Sequence, residues 1–272
     1  MATDRTILIT GSTDGVGRRV AQRLAQPGTT LLIHGRDSDR AGILVDELRK
    51  AGAVACVYLA DLSSMSEVRN LSQAILRDHK RIDLLINNAG IGTSNGGPAR
   101  QVSADGYELR FAVNYLSGFL LTHLLLPVLK ASRPSRIVNV SSLGQQAIDF
   151  DDVMLAHGYS GTRAYCQSKL AQIMFTFDLA AQLQGSDVTV NSLHPATYMN
   201  TTMVRTAGVA PMSTVDQGAQ AILNLAISEQ MAGKSGLFYD ALRPSRANVQ
   251  AYDDDARERL RTLSLKLVGL SG

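Results

Sequence analysis

Cysteine is scarce: Cys56 and Cys166 are the only two in 272 residues, far apart and outside any CxxC spacing. That excludes a disulfide framework and points to free thiols in a reducing compartment. Charge of one sign is scarce too. The 27 basic residues stand against 24 acidic ones, a net charge of +3 with no long basic run, so composition gives no support for a nucleic-acid partner. The longest apolar run, Gly118 to Leu129, carries His123 and Pro127 and is too short to span a bilayer. A strand-like run, Arg5 to Thr10, starts with no room before it for a charged segment and an apolar signal region. Internal repeats, low-complexity tracts and linkers rich in Pro or Ser are absent. A soluble, cytoplasmic protein with one domain over 1–272 is the expectation.

Apolar material is plentiful at 45%, enough for a sizeable core. Runs of β type recur at Thr6 to Thr10, Thr30 to Ile33, Val54 to Leu59, Ile82 to Ile86, Arg136 to Val140, Val188 to Leu193 and Gly236 to Tyr239. Amphipathic segments separate them. That alternation predicts an α/β fold, a doubly wound parallel sheet of about seven strands with helices on both faces.

The first run leads into Thr10-Gly11-Ser12-Thr13-Asp14-Gly15-Val16-Gly17 and then a helical pattern from Arg18 to Gln26. Strand, glycine turn and helix N-terminus form the Rossmann-type arrangement that brings backbone N–H groups to a pyrophosphate. Gly11, Ser12, Thr13, Gly15, Val16 and Gly17 are therefore candidate cofactor contacts. At the end of the second run stand Gly35 and Arg36, a small neutral residue beside a cation. This leaves room for a 2′-phosphate and favours NADP(H), with NAD(H) possible. Asp14 works against that preference, and Arg18 and Arg19 partly compensate. Asp61-Leu62 and Asn87-Asn88-Ala89-Gly90 follow later runs, where side chains face the ligand crevice of an open sheet.

Tyr165 and Lys169 lie four residues apart at the start of an apolar helical pattern, and so share a helix face. A phenol with a pKa of about 10 exchanges protons near neutrality only if its phenolate is stabilised, and a fixed ammonium does that. Cys166, its neighbour, points about 100° away on a helix and is read as packing.

With these residues in order, the chain resembles the short-chain dehydrogenases/reductases, within them the retinol dehydrogenase-like branch. The resemblance rests on TGSTDGVG at 10–17, NNAG at 87–90, Asn114, Ser141-Ser142, YCQSK at 165–169 and His194-Pro195. It implies that Ser142, Tyr165, Lys169 and Asn114 are catalytic, with Ser141 the alternative serine. It further implies cofactor contacts from Asp61, Leu62, Asn88, Ala89, Gly90, Tyr165, Lys169, Pro195, Ala196 and Thr201, with Thr202 as the alternative to Thr201. Ala196 departs from the family's usual glycine.

The 22 residues between Ser142 and Tyr165, 143–164, are expected to shape the substrate pocket, with a mobile lid at 196–214 carrying Tyr198, Met199, Met203, Val204 and Met212. Asp149, Asp151 and Asp152 have no properly spaced partner and read as turn residues, so no metal is assigned. His157 reads as a rim residue. The helices 104–131 and 165–183 are those the family uses to pair subunits, implying a homodimer or homotetramer, although burial against the sheet also accounts for Leu120, Leu121, Leu124, Leu125 and Leu129. The function implied is an NADP-dependent oxidoreductase that interconverts an alcohol with its ketone or aldehyde on an apolar small molecule. A non-catalytic NADP(H) sensor or scaffold is the alternative. A nucleotide-sugar epimerase or dehydratase is disfavoured by length.

Overall fold

Each apolar run read as a strand becomes part of one sheet. The computed structural model describes residues 4–94 and 99–271. Within them β1 (Arg5–Ile9), β2 (Thr29–Gly35), β3 (Val54–Leu59), β4 (Leu84–Asn87), β5 (Ser135–Val140), β6 (Val188–His194) and β7 (Leu237–Asp240) pair in parallel. An eighth strand, β8 (Arg243–Ser245), pairs antiparallel with β7, and the order across the sheet is β3-β2-β1-β4-β5-β6-β7-β8. Its Arg-Pro-Ser sequence has no apolar pattern. It forms because the chain folds straight back along the free edge of β7.

Alternation along the strands sorts side chains into two cores. Ile7 and Ile9 pack with Val20 and Ala21 of α1 (Gly15–Leu24), Leu44 of α2 (Ser38–Lys50) and Ile222 of α7 (Val215–Ile227). Leu8 faces the opposite layer, which holds α3 (Met65–Asp78), α4 (Ser117–Ala131), α5 (Gly161–Gln182) and α8 (Asp254–Val268). Burying each such aliphatic side chain contributes roughly 1.5–3 kcal/mol. Strands buried on both faces read as continuous apolar runs, and this is why the sheet is visible in the sequence.

The helix expected over 104–131 starts later. Ser103 to Tyr107 forms a turn with Gly106 at φ +82°, Val102 bridges to Glu108, and a π-helical turn, Phe111–Leu116, leads into α4. The segment Phe111–Ala131 is long and apolar enough to cross a membrane, but two-thirds of its most apolar window is buried inside the fold. Leu120, Leu121, Leu125 and Leu129 are fully buried and serve the core, while Leu124 is half-buried.

The strand order reverses between β1 and β4. Crevices at such switch points, outside the carboxyl ends of the strands, are where open α/β sheets bind ligands.

Candidate active site

The turn after β1 is built without side chains where it must be. Gly11 has φ +61°, and a Cβ there would lie 2.8 Å from the Ala89 Cα. Gly15 also has positive φ, and a Cβ on Gly17 would run into the Asn88 side chain and the Gly11 carbonyl. Asn88 locks this packing: its Nδ2 donates to the carbonyls of Thr10 at 2.9 Å and Gly11 at 3.0 Å. Asp14 caps α1, its carboxylate accepting the Gly15 N–H at 2.7 Å.

Gly11, Thr13, Gly15, Val16, Gly17, Arg36, Asp61, Leu62, Asn88, Ala89, Gly90 and Thr201 all line one cleft of about 740 Å³. A Cβ-free cradle at a helix N-terminus fits a dinucleotide pyrophosphate. Ser12, expected at the cofactor, is not part of that lining. It is fully buried, and its hydroxyl is engaged with the backbone of His34, accepting the N–H at 3.0 Å.

His34 is a site residue that the sequence reading passed over. Its Nδ1 accepts the Gly11 N–H at 3.1 Å, and its Nε2 lies 3.2 Å from the Ala60 carbonyl. Those partners require the neutral tautomer with the proton on Nε2. Burial agrees, pushing His34 down to about 4. A lone histidine closing an apolar strand was the available signal.

At the far end of the cleft, a Cβ on Gly35 would meet the Thr13 side chain at 2.5 Å, so the glycine lets the loop close against β2. Arg36 lies 3.7 Å from Asp61. Burial acts to raise the Asp61 carboxyl, but hydrogen bonds with Ser63 and the nearby Arg36 charge outweigh it and hold it below the usual range. A second cation, Arg40, also lines the cleft, 3.4 Å from Asp37 and 3.7 Å from Asp14. Sequence reasoning named Arg36 with Arg18 and Arg19; the structure instead pairs Arg18 with Glu47 and Arg19 with Asp216, outside the cleft lining, and brings in Arg40 from the first turn of α2.

Toward the other end of the sheet the expected catalytic residues come together. Ser142 follows β5, and its hydroxyl lies close enough to the Tyr165 phenol to act on its titration. The Ser142 Oγ also accepts the Gly144 N–H at 3.0 Å. Ser141 points elsewhere, donating to the Lys169 carbonyl at 2.7 Å. Burial pushes the Tyr165 phenol above its ordinary range, and the Ser142 hydroxyl pulls it part of the way back. Lys169 Nζ sits 5.8 Å from the centre of the Tyr165 ring. Burial alone pushes Lys169 down to about 7.

Asn114 lies in the π-helical turn, and its amide is committed to neighbours. Nδ2 donates to Ile91 O at 3.2 Å and Ser168 Oγ at 3.0 Å, while Oδ1 accepts the Ile91 N–H at 2.7 Å. Gly90 joins the two ends of the site: a Cβ there would lie 3.2 Å from Asn114 Oδ1 and 3.5 Å from Lys169 Nζ. Arg110 and Glu108 were also missed. Arg110 is fully buried and donates to the carbonyls of Gly92 and Thr93 and, at 2.6 Å, to Tyr159 Oη, fixing the rim against the start of α5.

Pro195 is buried and Ala196 half-buried just after β6; neither lines the cleft. Thr201 lines the cleft and caps the short helix α6 (Thr202–Thr206). Thr202 and Met203 line the cleft as well, whereas Tyr198 and Met212 are exposed. Tyr198 has φ +43°, a left-handed backbone that costs a tyrosine energy. The segment 143–164 is pinned. Ile148 exchanges two hydrogen bonds with the Gln250 amide, Asp149 pairs with Arg163 at 2.9 Å, and Asp152 accepts the N–H groups of Ala156 and His157. Cys166 borders the start of that segment beside Gly144.

A family model described as short chain dehydrogenase matches residues 5–210. The chain is 35% identical to mouse retinol dehydrogenase 13, over 98% of this chain and 84% of that protein. It is 36% identical to human retinol dehydrogenase 14, over 98% and 87%. Among solved structures, the Pseudomonas aeruginosa RhlG/NADP active-site complex superposes with a TM-score of 0.70 at 28% identity, covering 88% of this chain and 95% of that one. The protein belongs to the short-chain dehydrogenase family, in its retinol dehydrogenase-like branch, and is an NAD(P)-dependent oxidoreductase acting on CH–OH groups.

Proposed function

We propose that the protein prefers NADP(H) and interconverts an apolar alcohol with its ketone or aldehyde, with Tyr165 as the proton donor and acceptor. The observation that carries this reading is the meeting of the Ser142 hydroxyl, the Tyr165 phenol and the Lys169 ammonium next to Gly90, which itself lines the dinucleotide-sized cleft although the three groups do not. The bound nicotinamide supplies or takes up the hydride.

Reduction of a carbonyl builds negative charge on its oxygen, which needs a donor aimed at it. Ser142 holds that oxygen and Tyr165 delivers the proton; its raised pKa keeps it protonated at neutral pH. In the oxidative direction Tyr165 takes the proton back, and Lys169 stabilises the phenolate. Asn114 keeps the backbone of Ile91 in place and orders water next to Lys169.

Arg36 and Arg40 support the NADP(H) preference. Their contacts with Asp61, Asp37 and Asp14 are 3.4–3.7 Å long and largely solvent-exposed. Such pairs are worth little and yield to a 2′-phosphate, which both guanidinium groups can grip. Exposed Leu143, Tyr198, Met203 and Met212 support an apolar substrate. The cytoplasmic location and a homo-oligomer remain part of the proposal, to be checked by cell fractionation and by light scattering on the purified protein.

The test is a pair of fluorescence titrations with NADPH and NADH on the parent protein, Arg36→Ala and Tyr165→Phe, followed by a carbonyl panel. NADPH should bind more tightly, and Arg36→Ala should narrow that gap by about tenfold or more. Tyr165→Phe should keep binding and lose turnover by about 10²–10⁴-fold. Equal affinity for both nucleotides would overturn the preference. Binding without turnover on any carbonyl would favour a sensor or scaffold instead.

A further inference from the structure

Lys169 is 6% exposed, yet it has protein acceptors for its ammonium. Nζ donates to the Val140 carbonyl at 3.0 Å and to the Gln172 side-chain Oε1 at 2.9 Å. The first acceptor belongs to the backbone of β5 and is present whatever the side chain there. The second depends on one residue. Positions 169 and 172 lie one turn apart on α5, on a shared face.

Gln172 is itself 4% exposed, and its surroundings hold it still. Its backbone carbonyl accepts the Thr176 hydroxyl at 2.8 Å, and Thr176 Oγ1 in turn accepts Asn139 Nδ2 at 2.8 Å. Asn139 Oδ1 accepts Asn87 Nδ2 at 2.9 Å. This turn of α5 is thereby tied to β5 and β4, the strands beneath the site. The titratable groups facing Lys169 are Tyr165 on its own helix and His194 from β6, whose imidazole burial keeps in its neutral form. Among the described residues no carboxylate contacts Lys169, so its charge is supported by neutral acceptors alone.

We propose that Gln172 is a positioning residue for the reaction, its Oε1 holding the Lys169 ammonium beneath the Tyr165 ring and favouring its charged form. This rests on reading Tyr165 and Lys169 as the proton-handling pair. A hydrogen bond to a buried charge is strong because the charge has no water to fall back on. Its loss shifts the lysine equilibrium by about one to two pH units toward the neutral amine.

The chain has six lysines, few enough to follow one by one in protein labelled with ¹³C-lysine, with Lys169→Arg identifying the Lys169 signal. The titration is run on the full-length parent, Gln172→Leu and Gln172→Glu, and kcat is then measured against pH for carbonyl reduction. The Lys169 midpoint should fall by about one pH unit or more in Gln172→Leu and rise in Gln172→Glu. The alkaline limb of kcat should follow in the same directions. Gln172→Glu keeps the length of the side chain and tests the idea should the leucine variant not fold. A midpoint that stays put in the folded variants overturns the proposal. If the midpoints move as expected but no carbonyl is turned over, the lysine positioning stands and the catalytic reading falls.

Discussion

An unfolded histidine titrates near 6.5, whereas burial holds His34 at about 4. Between those values the unfolded chain binds the proton more readily than the folded one. Stability therefore declines as pH falls from about 6.5 to 4, by about 3 kcal/mol in total. Protonation would also turn the Gly11 acceptor into a donor and break the bond that sets the glycine turn. His34→Asn removes the titration. Urea unfolding at pH 7 and pH 4.5 should show the parent losing about 2 kcal/mol more than the variant across that interval. Equal losses would mean that His34 is not the group responsible. The lowered Lys169 acts in the same sense at higher pH: stability rises between about 7 and the ordinary lysine value near 10.4.

At the level of elements, the rim of the site depends on an ion pair inside the protein. Arg110 and Glu108 lie 3.5 Å apart and are fully buried, with Tyr159 Oη bridging them. Glu108 also accepts the Phe111 N–H at 2.7 Å, anchoring the start of the π-helical turn that carries Asn114. Arg110→Leu strands the Glu108 carboxylate away from water and should cost about 3–5 kcal/mol in chemical denaturation. Arg110→Leu with Glu108→Gln should cost less than the single change, because no uncompensated charge remains. A single change that costs under about 1 kcal/mol would show that the pair does not hold the rim. The glycine turn makes a related point about elements. Its residues are fixed by the approach of the Ala89 backbone, on a segment 78 residues away in the chain.

Across the whole molecule, the C-terminal helix completes the second core. On α8, Leu260 and Val268 are buried, Ser264 Oγ meets Tyr115 Oη at 2.8 Å, and Arg261 pairs with Asp178 of α5 at 2.7 Å. Tyr107 Oη donates to the Leu267 carbonyl at 2.6 Å. No α8 residue lines the dinucleotide cleft. Truncation after Tyr252 should lower the thermal midpoint by more than about 10 °C, because it exposes the faces of α5 and of the π-helical turn that α8 covers. Dinucleotide binding below that midpoint should persist. An unchanged midpoint would contradict the docking of α8.

The sequence by itself determined the seven parallel strands, the glycine turn and the Tyr165–Lys169 spacing, because each is a local pattern: continuous apolar runs, glycines at a strand end, and two residues one helical turn apart. It also carried the family resemblance, through residues whose order along the chain is specific. The resemblance favoured Ser142 over Ser141, and the structure turns Ser141 away to the Lys169 carbonyl; tertiary structure alone turned Ser12 inward to β2. Only there do His34 meet Gly11, Arg40 join Arg36 and Gln172 reach Lys169. A local pattern fixes which residues share a face. Which of their polar atoms find partners is decided by segments distant in the chain, and those meet only when the two cores close.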